Sequence, residues 1–241
     1  MAANHFEPTA RNSVQAWFAD DFCGAGRTEQ LVSIMENLVK WGPSFGYFPS
    51  PEKSWLVCSA EAEPFVRHSF KAKGLEIQYT RGTRYLGAHI GAEAEKAAWL
   101  MPKVEQWTEA VATLEKISAR YPQTAFYGLT VSLQNEWMHV CRTVPGAGAY
   151  LGLVKTALCS YLSHMLDVPL DADGELRKLL GQKVKQGGMG IQNPTTSAEG
   201  WLETSLEASE ALISALKSGV DVNVEQHETS VRATRNQARA A

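Results

Sequence analysis

The sequence predicts an α+β chain: a mixed region of short strands and helices from Met1 to Gly91, a mostly α-helical region over residues 92–218, and a polar tail over residues 219–241. Three observations predict it. Short runs rich in apolar and aromatic residues, broken by Gly and Pro, fill the first region. From about Glu93 apolar residues recur at helical spacing. The last segment, Val220 to Ala241, is short of large apolar residues and reads as a solvated helix or as disordered chain.

In order along the chain, Val14 to Ala19 and Phe22-Cys23 flank Asp20-Asp21, the pattern of a β-hairpin with the two acids at its turn. Leu31, Ile34, Met35, Leu38 and Val39 predict an amphipathic helix over Arg27–Trp41, stopped by Gly42-Pro43. Trp55 to Cys58 reads as a short buried strand, Glu61–Lys73 as a helix, and Leu75 to Tyr79 alternates as a half-buried strand should. Arg84 to His89 forms a further strand. Trp99, Val104, Trp107, Val111, Leu114 and Ile117 then mark a long helix, with others near 123–142, 147–165, 174–181 and 197–218. Loops rich in Gly and Pro separate the later helices at 168–174 and 186–196.

Composition excludes several classes. Hydrophobic residues make up 44% and charged residues 20% of the 241, ordinary for a globular protein with a sizeable core. The apolar runs are too short to span a bilayer, and the first residues lack the basic start and apolar segment of a signal peptide. Cys23, Cys58, Cys141 and Cys159 form no C-x-x-C pair, so free thiols in a reducing, intracellular compartment are expected. A net charge of -3 gives no global attraction to nucleic acid, although a local basic groove is invisible in that sum. Gly24-Ala25-Gly26 and Gly146-Ala147-Gly148 fit neither a P-loop nor a dinucleotide fingerprint and read as turns and helix starts. The six histidines show no H-E-x-x-H arrangement and read as surface or satisfied polar residues, and Trp99, Trp107 and Trp137 read as core anchors.

The chemistry-bearing feature is Trp17-Phe18-Ala19-Asp20-Asp21. A strand entering a tight turn aims both acids into one space, where a cation such as magnesium best relieves their repulsion. Asp is also a preferred turn residue, so a plain polar turn is the competing reading. Phe18-Ala19-Asp20-Asp21 resembles the (Y/F)-x-D-D palm motif of reverse transcriptases. Gly46-Tyr47-Phe48-Pro49-Ser50-Pro51-Glu52-Lys53-Ser54 resembles the next palm motif with its lysine. Tyr85-Leu86-Gly87-Ala88-His89-Ile90-Gly91 resembles the hairpin that leads from palm to thumb and touches the primer. Gly187-Gly188-Met189-Gly190-Ile191 resembles the G-G-(L/M)-G-(I/V) segment found downstream in retroelement proteins.

Together these stretches, roughly residues 14 to 195, look closest to reverse-transcriptase-like proteins of eukaryotic retroelements. The resemblance implies a partial polymerase palm and a helical thumb-like domain. It implies RNA-templated DNA synthesis by two-metal nucleotidyl transfer, with magnesium as cofactor, manganese as a substitute, and an RNA template and DNA primer as partners. It makes Asp20 the principal metal ligand and Asp21 its neighbour. Lys53 would neutralise charge or protonate pyrophosphate, against the alternative of a solvated lysine beside prolines. Tyr85, Leu86 and Gly87 would contact the primer, against the alternative of ordinary turn and core chemistry.

In that family another Asp-bearing palm strand, a Gly-rich motif and the fingers lie upstream of the Asp-Asp hairpin. Here Met1 to Ala16 precede it, and their one acid, Glu7, does not sit in such a strand. The expectation is a C-terminal portion that is inactive alone and is completed by an upstream polypeptide or by a coding segment before Met1. The alternative is a non-catalytic nucleic-acid or protein-binding module derived from such an enzyme.

Overall fold

A computed structural model describes residues 13–18 and 21–240 of the chain. The chain is α+β and mostly helical. It divides into two compact units, Met1–Thr83 with Ile213–Asp221, and Arg84–Leu212 with Val222–Ala241. Among the described residues no helix is long and apolar enough to cross a membrane.

The first unit opens with strands β1 (Val14–Phe18) and β2 (Asp21–Ala25), antiparallel with Val14 opposite Ala25 and Phe18 opposite Asp21. Gly24 and Ala25, expected in a turn, continue β2. Helix α1 (Thr28–Trp41) begins where the Arg27 N–H donates to Gln30 Oε1 at 3.0 Å. Its two apolar edges serve different clusters. Ile34 and Leu38 pack with Phe22 and Tyr47, while Val32 packs with Leu56, Val66, Phe70 and Leu75. The helix stops at Gly42 as expected, and glycine is required there, because an added Cβ would lie 2.6 Å from the Tyr47 carbonyl oxygen.

Strands β3 (Trp55–Val57) and β4 (Gln78–Thr80) are parallel, with Leu56 opposite Tyr79. Parallel neighbours need a crossover, and helix α2 (Glu63–Lys71) supplies it. The strand expected at Leu75 to Tyr79 starts only at Gln78. The Leu75 N–H is held by the Phe70 carbonyl at 3.1 Å in the turn that ends α2, where Gly74 has φ 69°, so Leu75 cannot enter a ladder.

Strands β5 (Gly82–Tyr85) and β6 (Ala88–Gly91) form a hairpin turned at Leu86 and Gly87, where periodicity gives a single strand over Arg84 to His89 and the motif at Tyr85–Gly91 implies a hairpin. In the second unit α3 (Glu93–Ser118) buries Leu100, Val104, Trp107 and Val111 in one row, facing Val154, Leu158, Tyr161 and Leu162 of α6 (Gly152–Leu166) in a single core. Pro102 removes one backbone bond from α3 but lies on its exposed side, where solvent can replace it.

The helix expected near 123–142 is a rod of three parts: α4 (Pro122–Tyr127), a π-helical turn (Gly128–Leu133) and α5 (Gln134–Thr143). Its inward residues, Ala125, Leu129, Leu133, Trp137 and Cys141, are spaced by four throughout. In an α-helix that spacing drifts about 40° per step. The wider π turn keeps the row on the core.

Helix α7 (Glu175–Gly181) buries Arg177 and Leu180 and exposes Leu176 and Leu179. Arg177 Nη1 donates to the Ile191 carbonyl at 2.6 Å and so ties α7 to the chain entering α8 (Pro194–Ser218). Helix α9 (Val224–Ala240) follows in the segment read as helix or disorder.

The glycines at 187–190 close the loop between α7 and α8. Gly188, Met189 and Gly190 donate their N–H groups to Lys183, Leu180 and Gln182 carbonyls at 3.1, 2.9 and 2.8 Å. A Cβ on Gly188 would lie 2.0 Å from the Gln182 carbonyl oxygen, whereas one on Gly187, at φ 86°, would meet nothing within 4 Å. Gly188→Ala is therefore expected to destabilise the protein by about 3 kcal/mol or more. Gly187→Ala should cost only about 1–2 kcal/mol of left-handed strain. Urea melts of the two variants check this order.

Candidate functional site

The Asp-Asp hairpin forms as β1 and β2, and Trp17 packs on Phe22 at 4.8 Å and on Tyr47 at 5.3 Å between ring centroids. These aromatic contacts hold the register that puts Asp21 at the first position of β2, exposed to solvent. Asp20 lies outside the described residues. Among the described residues no group of three or more His, Cys, Asp or Glu side chains is gathered to hold a metal ion.

Lys53 ends a 3₁₀ turn, Pro51–Lys53, with its N–H on the Ser50 carbonyl at 3.1 Å. The turn is braced by Ser54 Oγ donating to the same carbonyl at 2.9 Å and by the Gln78 amide donating to the Glu52 carbonyl. The lysine is exposed just before β3. Neither a hydrogen bond nor an ion pair joins it to Asp21.

Leu86 and Gly87 are the two central residues of the β5–β6 turn, with φ of 48° and 84°. Positive φ at both positions is what a type I′ hairpin turn requires, and Asn-Gly is its preferred pair. Leucine there is strained by about 1–2 kcal/mol. Leu86 is nonetheless 53% exposed, so no core burial compensates for the strain. A Cβ on Gly87 would lie 3.0 Å from His139 Nε2, so the α5 histidine sits against the turn.

Behind the turn, His89 is buried, its ring 5.7 Å from that of half-buried Trp99. This corrects the surface reading of the histidine. Burial, then the nearby Lys96 ammonium, holds its pKa below the ordinary value. Lys96 bonds the Glu93 carboxylate at 2.7 Å and the Pro145 carbonyl at 2.8 Å, and Tyr150 OH donates to Glu93 at 2.5 Å. Those contacts anchor the start of α3, on which the hairpin rests.

Other candidate chemistry is absorbed by the fold. Burial pushes the Cys141 thiol up to about 12, which removes it as a nucleophile. In a shallow groove lined by Glu115, Ser160, Ser163, His164 and Asp167, Ser160 Oγ donates to Glu115 at 3.2 Å, Ser163 Oγ accepts the Leu170 N–H at 3.1 Å, and Asp167 caps α6 at φ 52°. Sequence reading missed the left-handed Leu86 and the histidine beneath Gly87. The Leu-Gly pair between two strand-like runs is the signal for the turn; nothing in the sequence marks His139.

No family model, curated protein or solved structure matches the chain.

Because His89 is held neutral in the fold, the unfolded chain binds its proton more readily. Its contribution to stability is present above the ordinary histidine pKa near 6.5 and is lost as pH falls through that value toward the lower folded one. The melting temperature should fall between about pH 7 and pH 5, and His89→Gln should flatten that part of the profile.

Proposed function

We propose that this chain is the palm-end and thumb portion of a reverse-transcriptase-like protein, and that it serves RNA-templated DNA synthesis in company with polypeptide that supplies the remaining palm and the fingers. The observation that carries the proposal is the order of motifs, each on an element suited to its role. Phe18 pairs with Asp21 across the antiparallel β1 and β2, Lys53 stands exposed before a strand, and Leu86-Gly87 tips a tight hairpin at the start of the helical unit.

Adjacent carboxylates at Asp20 and Asp21 are hard oxygen donors of the kind magnesium takes. A two-metal centre needs a further acid, and among the described residues no group of three or more His, Cys, Asp or Glu side chains is gathered. On this reading the chain binds nucleic acid through its hairpin and helices, and no transfer step is assigned to its residues alone. A second reading, in which the helical half is the working part, is a non-catalytic nucleic-acid-binding module of the same descent.

The purified chain should bind RNA and DNA with an affinity that falls with salt, and should extend no primer with magnesium or manganese. Adding the complementary palm and fingers polypeptide should restore extension, and Asp20→Asn or Asp21→Asn should then abolish extension while leaving binding intact. Binding without restored extension selects the second reading. Failure to bind either nucleic acid at low salt overturns both.

Leu86→Asn separates contact from turn chemistry. It should stabilise the hairpin by about 1 kcal/mol, read by urea melts, and weaken nucleic-acid binding severalfold if Leu86 touches the strand.

A further inference from the structure

The π turn that keeps the inward row of the α4–α5 rod on the core has a second consequence on its outer side. Tyr127, Val131, Asn135 and His139 are also spaced by four, and all are exposed, Tyr127 at 67% and Val131 at 53%. They form one outward row. It runs for roughly 15–18 Å and ends at His139, which lies against Gly87 of the strained hairpin tip. Leu86, 53% exposed, continues the surface there. π turns recur at functional sites.

The rod itself carries one carboxylate and one cation, and two further cations precede it in the chain. Lys116 and Arg120 stand exposed at the Tyr127 end, Arg142 at the His139 end, and the one carboxylate from Lys116 to Thr143 is Glu136. Glu136 is engaged, accepting the Trp107 indole N–H at 2.8 Å. Arg120 lies 5.3 Å from the ring centroid of Tyr121, which is itself 53% exposed. Asn135 Nδ2 donates to the Val131 carbonyl at 2.8 Å, which holds the amide on the outer face.

An exposed tyrosine offers a stacking face for any base, an aliphatic neighbour extends that face, and cations at both ends meet phosphates. A carboxylate-poor row with both features fits a polyanion with unstacked aromatic groups. We infer that the row Tyr127, Val131, Asn135 and His139 is a track for a single strand of nucleic acid, about four nucleotides long, leading to the Leu86–Gly87 tip. The inference deepens the proposed function only in where the track ends; the row itself is argued from exposure and charge.

The test is fluorescence anisotropy of the full chain with short labelled single-stranded RNA and DNA oligonucleotides and with a blunt duplex. Tyr127→Ala and Val131→Glu should each weaken single-strand binding by about tenfold or more, while Tyr127→Phe stays within about twofold of wild type. Arg120→Ala and Arg142→Ala should each lower the log–log salt slope by about 0.7. Circular dichroism checks that the variants are folded, and Asn135→Ala, a smaller surface change, should weaken binding in the same direction.

Unchanged binding by Tyr127→Ala and Val131→Glu overturns the track. If Leu86→Asn weakens binding in that case, the proposed function survives without it. Conversely, loss in the row variants with Leu86→Asn unchanged sustains the track and removes the hairpin contact. Duplex binding as tight as single-strand binding, or no binding of any oligonucleotide, overturns the assignment and points to a protein partner for the row.

Discussion

Leu100, Val104, Trp107 and Val111 lie along one stripe of α3 and are buried against Val154, Leu158, Tyr161 and Leu162 of α6, so the rest of the helical unit is arranged around that contact. Trp107 links the two requirements of a large buried aromatic. Its ring fills the core beside Trp137, with centroids 6.1 Å apart, and its N–H reaches the part-exposed Glu136. The rod of α4 and α5 is thereby oriented, and with it the side that faces outward. At the other end of α3, Lys96 joins Glu93 to the Pro145 carbonyl and His89 packs on Trp99, which seats the β5–β6 hairpin on the same helix.

Two departures from regular geometry follow from this core and carry the functional argument. The π turn exists because inward residues recur every fourth position over Ala125 to Cys141, and the same turn aligns an exposed row. Leu86 holds positive φ because a two-residue hairpin leaves it no alternative, and its side chain stays in solvent. Buried Arg177 is a third exception: one bond to the Ile191 carbonyl holds the α7–α8 connection, Nε and Nη2 have no partner, and burial lowers its pKa. It serves the closure of the glycine loop, whose own N–H groups are consumed by Lys183, Leu180 and Gln182 carbonyls and leave no cradle for a phosphate.

The first unit is built differently. Its core is divided between two small clusters on either edge of α1, while Trp41, Phe48, Trp55 and Phe65 are half or more exposed. A unit of this size buries a limited share of its apolar surface. Specific contacts such as Trp17 on Phe22 and Tyr47 supplement those clusters.

Periodicity alone determined the α+β class, the helices at Arg27–Trp41 and from Glu93, the two strands around the acids, the stop at Gly42-Pro43 and the burial of Trp107 and Trp137, because each is fixed by neighbours within one or two turns of chain, whereas Asp21, expected at the turn, lies in β2. It misplaced the strand after α2, where a helix-ending hydrogen bond claims Leu75, and it read β5 and β6 as one strand, where positive φ at Leu86 decides otherwise. The parallel pairing of β3 with β4, the burial of His89 and Arg177, the π turn and the placement of His139 against Gly87 were decided only in three dimensions. Each depends on a residue distant in sequence, and packing against such a residue can override the local preference that a sequence displays.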